Sequence, residues 1–209
     1  MKKLIPILLA VFALASCEKD PDMGKLDDNY LVYTNYDKKA DFKVPTFYLA
    51  PQILVISDSK EPEYLEGEGA EQILAAYTEN MEAKGYQPAA DKESADLGIQ
   101  VSYIASTYYF TSYTQPEWWW GYPGYWGPSY WGNWGGWYYP YAVTYSYSTN
   151  SFLTEMVDLN ADQGEKAKLP VVWTSYLTGF ETGSSTVNRT LAVEAVNQSF
   201  TQSPYLTNK

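Results

Sequence analysis

Residues 95–105, Ala95-Asp96-Leu97-Gly98-Ile99-Gln100-Val101-Ser102-Tyr103-Ile104-Ala105, decide the fold. Leu97, Ile99, Val101, Tyr103 and Ala105 alternate with Gly98, Gln100 and Ser102, the two-residue period of a half-buried strand. Upstream, Ala70, Ile73, Leu74, Tyr77 and Met81 recur at three and four residues with Glu71, Glu79 and Glu82 between them, which predicts an amphipathic helix. Glu66 and Glu68 suit the positive end of its dipole, and Gly85 is a natural C-terminal stop. Further upstream lie the short β-prone runs Leu31 to Tyr33, Thr46 to Leu49 and Ile53 to Ile56; the polar cluster Asp37 to Asp41 makes a turn between the first two. Downstream, Val143 to Tyr147, Phe152 to Leu159 and Val171-Val172-Trp173 are β-prone, with Asp158 to Lys168 as a hairpin loop. Ser184, Ser185 or Thr186 can cap a last helix in which Val187, Leu191, Ala195, Val196 and Phe200 face one way, ended by Pro204. The order predicts an α+β domain: a single sheet of four to five mainly antiparallel strands, two helices on one face, and a long aromatic loop.

Composition narrows the chemistry. The chain has 209 residues, 45% hydrophobic and 17% aromatic against 19% charged, enough apolar surface for one folded domain. It has no histidine and one cysteine, which excludes a Ser-His-Asp triad, a histidine metal site, a Cys-His pair and a structural zinc cluster. A net charge of −11 repels nucleic-acid phosphates. No cofactor motif is present.

At the N-terminus, Lys2 and Lys3 precede an apolar run over residues 4–15, ending at Leu14-Ala15-Ser16-Cys17. The run is well short of the roughly 20 residues that a membrane-spanning helix needs, so it reads as a secretion signal. Leu14-Ala15-Ser16-Cys17 resembles the bacterial lipobox, in which the cysteine sulfur takes a lipid; a lone cysteine has no intrachain disulfide partner. The expected organisation is a signal peptide over 1–16, a lipidated acidic tether over 17–29 and a domain over 30–209 with an aromatic, glycine-rich insertion at 113–147. Several acyl chains on Cys17, palmitate among them, would hold the protein to a membrane. Glu18-Lys19-Asp20-Pro21-Asp22 resembles the export signal of surface lipoproteins, which favours the cell surface, with the periplasmic face of the outer membrane as the other location.

The insertion is the strongest signal of a binding surface. Residues 113–147 hold 16 aromatic side chains, seven of the eight tryptophans and six glycines, with Glu117 the single charge. Glycine and proline at that density break regular structure and leave a long loop. Trp118, Trp119, Trp120, Tyr122, Tyr125, Trp126, Tyr130, Trp131, Trp134 and Trp137 form the candidate surface. Flat rings with polar edges suit a protein partner or a second copy, a sugar, or a membrane interface, and they equally suit structural cover over the sheet. Basic residues, usual at membrane interfaces, are missing from the segment.

Other constellations carry less. Asp158, Asn160 and Asp162 are spaced like calcium ligands, but the glycine and glutamate of an EF-hand loop do not follow in place. A glycosidase needs two carboxylates across a cleft, and Glu117 has no second acid in its segment; Glu155 or Asp158 would have to approach through folding. The sequons at Asn188 and Asn197 fall on the last helix and read as chance.

Taken together, Tyr36-Asp37 to Phe42 with Thr46-Phe47, Ala95 to Tyr103, Phe152 to Asp158, Leu169 to Trp173 and the last helix to Pro204 resemble the bacterial lipoprotein family known as domain of unknown function 4136. Asn150-Ser151 stands where that family usually has Gly-Thr, Glu155 where it usually has Asp, and Thr174 where a basic residue is common. The resemblance implies an α+β envelope lipoprotein and brings no catalytic residue. The expected function is non-catalytic binding of another envelope component through the aromatic loop, with a glycan-binding surface module as the alternative.

Overall fold

Alternating and β-branched runs become strands and the two amphipathic runs become helices. The computed structural model describes residues 30–57, 59, 61–105, 137–141, 148–161 and 168–209. Among them the strands are β1 (Leu31–Tyr36), β2 (Thr46–Leu49), β3 (Ile53–Ile56), β4 (Glu63–Leu65), β5 (Gln87–Pro88), β6 (Leu97–Ile104), β7 (Trp137–Tyr138), β8 (Ser151–Asp158) and β9 (Leu169–Thr178). The helices are α1 (Glu68–Ala83) and α2 (Ser185–Thr201). None of the described helices is long and apolar enough to cross a membrane.

The sheet is larger than the sequence reading predicts, and it is mixed. Its main path runs β1-β9-β8-β6-β2-β5, with β3 also on β6 and β4 on β3. From β6 through β8 and β9 to β1 all pairs are antiparallel. On the other side of β6, both β2 and β3 run parallel to it, β2 along its first half and β3 along its second. The cause is α1, which carries the chain from one end of the sheet to the other between β4 and β5; a helical crossover of this kind delivers a parallel neighbour. Pro51, without an N–H to give the ladder, stands where β2 gives way to β3. Two-residue β7 pairs in parallel with the start of β9, apart from the eight-stranded sheet.

Strand β6 is also more buried than alternation predicts. Gly98, Gln100 and Ser102 are covered along with Leu97, Ile99 and Val101, so the polar positions point to a second buried face. On the first face lie both helices: Ile73, Tyr77 and Met81 of α1 and Leu191, Val196 and Phe200 of α2 meet Ile99, Val101, Met156 and Trp173. Burying Phe47, Phe200 and Ile53 here contributes about 1.5–3 kcal/mol each. Two hydrogen bonds join polar groups within this core: Thr154 donates to the Tyr77 hydroxyl at 2.6 Å, and Trp173 Nε1 to Ser203 Oγ at 3.0 Å. Val187, expected on the inner face of α2, is 39% exposed, while Ala192 takes an inner position.

Helix ends follow their capping residues. Ser184 accepts from the Val187 amide at the start of α2. Gly85, at φ 99°, ends α1. The Tyr86 amide reaches the Met81 carbonyl and the Gly85 amide that of Glu82, the paired bonds of a left-handed helix stop.

Candidate functional site

The second face of the sheet carries a polar row inside an apolar patch. Register places Gln100 of β6 opposite Glu155 of β8, and Glu155 opposite Thr174 of β9, all buried. Leu153, Val157, Leu169, Val171 and Tyr176 surround the row. Burial pushes the Glu155 carboxyl well above the usual carboxylate range, toward its protonated form. Tyr139 donates to a Glu155 carboxyl oxygen, and the Tyr141 hydroxyl lies 3.4 Å from Thr174 Oγ1. Tyr139 and Tyr141, edge to face at 5.9 Å, therefore seat the described end of the aromatic segment on this face.

The segment's two roots meet at one end of the sheet. The chain leaves β6 at Ile104 and re-enters β8 at Ser151, its neighbour in the register. The Asn150 amide bonds the Ile104 carbonyl at 2.9 Å, and the Tyr103 hydroxyl donates to Asn150 Oδ1 at 2.7 Å. Ser148 is tied to Tyr176 through its amide at 2.7 Å and its hydroxyl at 2.9 Å. Asn150 holds φ 53°, the left-handed region that glycine or asparagine accepts most readily.

Beside these roots a cleft of about 600 Å³ opens between the first turns of α1 and α2. The helices run parallel there: Arg189 reaches Glu68 at 3.3 Å, and one helical stretch further on Asn80 bonds Asn197 at 2.7 Å. Phe152 and Phe180, rings 5.8 Å apart, form its floor with Ile73 and Ala192. Its rim is polar, with Glu66, Asn150, Glu181, Asn188 and Arg189, the only arginine of the chain. Asn150 Nδ2 donates to Glu181 Oε1 at 2.9 Å. Asn188 Oδ1 accepts from Thr182 Oγ1 at 2.7 Å, which fixes the amide and directs its nitrogen elsewhere. Burial, then the Glu181 charge, raises the Tyr103 phenol above its ordinary value.

Most residues singled out in the sequence are not among the described ones. Cys17, Glu117 and the candidate surface from Trp118 to Trp134 lie outside the described residues, as do Asp162 and the strand expected at Val143 to Tyr147. Trp137 is in β7, its backbone paired with Leu169. Asp158 closes a polar turn, accepting from the Asn160 amide at 2.9 Å, and partial burial raises its carboxyl pKa. The sequon asparagines serve the fold, Asn188 through Thr182 and Asn197 through Asn80. The sequence reading misses the cleft and the Gln100–Glu155–Thr174 row. Its one usable signal is the set of departures from the family pattern, because Asn150 lies on the cleft and Glu155 and Thr174 lie in the row.

Comparison with known proteins agrees with this architecture. A crystal structure of a DUF4136 family protein from Bacteroides thetaiotaomicron VPI-5482 is 90% identical, with a TM-score of 0.78 over 87% of this chain and 99% of that one. The PelC dodecamer from Paraburkholderia phytofirmans is a distant likeness, 10% identical at a TM-score of 0.41 over 86% of this chain and 99% of that chain, from which nothing is carried over. No curated protein matches the chain. The family model for DUF4136, a domain of unknown function, matches residues 32–205, nearly the whole of the described fold, and the chain belongs to that family.

Proposed function

We propose that the chain is a non-catalytic, lipid-anchored protein of the cell envelope that binds another envelope component, a protein or a second copy, through its Trp/Tyr-rich segment. Cys17 carries the lipid, the outer membrane is the site of attachment, and the cell surface is the favoured side. The observation that carries the reading is the anchoring of the segment. Tyr139 and Tyr141 sit on the polar row, and Ser148 and Asn150 are hydrogen-bonded to the sheet. A segment rich in aromatic side chains gains binding energy when its base is already ordered, since less freedom is lost on association. A glycan surface is the second reading, favoured by the aromatic-floored, polar-rimmed cleft at the segment's root.

Tryptophan emission tests it, because seven of the eight tryptophans lie in 113–147 and Trp173, fully buried, contributes a constant background. The soluble chain from Glu18 onward is titrated with purified outer-membrane proteins and with envelope polysaccharides, and its mass is followed by sedimentation against concentration. The reading expects a saturable emission change with protein, or a concentration-dependent mass, lost in Trp126→Ala and Trp131→Ala. No response to protein and no self-association would overturn it; a response to polysaccharide alone would put the glycan reading first.

A further inference from the structure

We infer that the cleft between the first turns of α1 and α2 is a binding site for a neutral saccharide, one or two sugar units of a longer chain. Its volume, about 600 Å³, lies within the roughly 300–1,000 Å³ of small-molecule sites. Its lining selects the class of ligand. A purely apolar ligand would cover the Phe152 and Phe180 floor but would strip water from the polar rim without replacing its hydrogen bonds. A polyhydroxyl ligand with apolar C–H faces satisfies both layers.

The rim holds the complement a sugar needs. Glu66 and Glu181 offer acceptor oxygens, and Asn188 Nδ2 and the Arg189 guanidinium offer donors. Several of these groups are set in place before any ligand arrives: Glu181 by Asn150, Asn188 by Thr182, Arg189 by Glu68. Charge argues for neutrality. Glu66 and Glu181 oppose an anion, while the two parallel helix N-termini and Arg189, its charge shared with Glu68, weigh against a cation. The inference rests on the envelope reading above, since display at the outer membrane is what brings glycans to the cleft.

The test is an amide and side-chain NMR titration of the soluble chain from Glu18, using neutral gluco-, galacto-, manno- and xylo-configured tetrasaccharides. A tetragalacturonate and spermidine serve as charged probes. The expected result is a saturable shift of the Gly69, Asn150 and Asn188 resonances with at least one neutral sugar. Arg189→Met and Glu181→Gln, at a half-buried and an exposed rim position, then weaken binding at least fivefold with thermal midpoints within a degree or two of the parent, and Glu79→Gln on the surface of α1 does not. Three results overturn the inference: no shift with any neutral sugar, tighter binding of either charged probe, or shifts confined to tryptophan indoles. The last would place the sugar on the aromatic segment and leave the envelope reading standing, whereas failure of that reading shows in the emission and sedimentation experiment.

Discussion

Glu155 is the residue whose chemistry departs furthest from its surroundings. It lies in the second face of the sheet with Leu153 and Val157 on either side along the strand and Tyr139 as a donor. Burial raises its folded-state pKa well above the ordinary 4.5, so below that value both folded and unfolded chains hold the proton and no pH dependence arises. As pH rises above it, the unfolded chain releases the proton while the folded chain keeps it. Stability is then lost at up to about 1.4 kcal/mol per pH unit until the folded pKa is reached. Glu155→Gln keeps an acceptor for Tyr139 and removes the titration. Urea unfolding at pH 5 and pH 8 should show the parent losing stability relative to the variant at the higher pH; parallel profiles would mean that Glu155 is charged in the fold. Of this residue's role the sequence tells little, because Leu153 and Val157, two positions away on either side, share its face while Phe152 and Met156 line the other, so the strand has no polar side to read. Both faces of the strand are buried, and the glutamate sits in the second of them.

Elements were more legible than residues. Periodicity and caps locate α1 and α2 within a few residues, and Gly85 marks the end of α1 as expected. Strands β4, β5 and β7, two or three residues each, carry no alternation to read and exist only through their partners. Parallel pairing was hidden for a different reason: strand runs record burial, not direction, and the consequence of α1 crossing between β3 and β6 appears only in the register. The stop at Gly85 lends itself to a sharp check. Its φ of 99° strains any L side chain, and a β-carbon there would also meet the Lys209 side chain at 3.4 Å. Gly85→Ala should lower the unfolding free energy by about 1–2 kcal/mol, the left-handed penalty of a non-glycine residue. Equilibrium denaturation measures it, and an unchanged midpoint would mean that the turn relaxes to another stop.

For the whole molecule, two questions remain at its outer boundaries: what holds it and what covers its second face. If Cys17 carries lipid, Cys17→Ser should abolish incorporation of a labelled palmitate and move the protein from the membrane to the soluble fraction; label retained in that variant would remove the anchor from the proposal. The second face bears on the fold itself. Helices close one side of the sheet, and among the described residues Tyr48, Tyr139, Tyr141 and Leu159 pack on the other. An apolar face containing Leu153, Val157 and Tyr176 cannot stand in water without cost, and the segment's end is part of its cover. Replacing Tyr139 and Tyr141 together by alanine therefore exposes apolar area and removes the Glu155 donor. Because both tyrosines are only half-buried, the pair should cost roughly 2–3 kcal/mol, below the ~3–5 kcal/mol of one fully buried aromatic. Tyr64→Ala, at a 40% exposed position on β4, should change stability by less than about 0.5 kcal/mol. Denaturant midpoints and binding of a hydrophobic dye read both. If the double variant matched Tyr64→Ala, the segment would not be seated on the sheet, and the anchored base on which its proposed binding role depends would be gone.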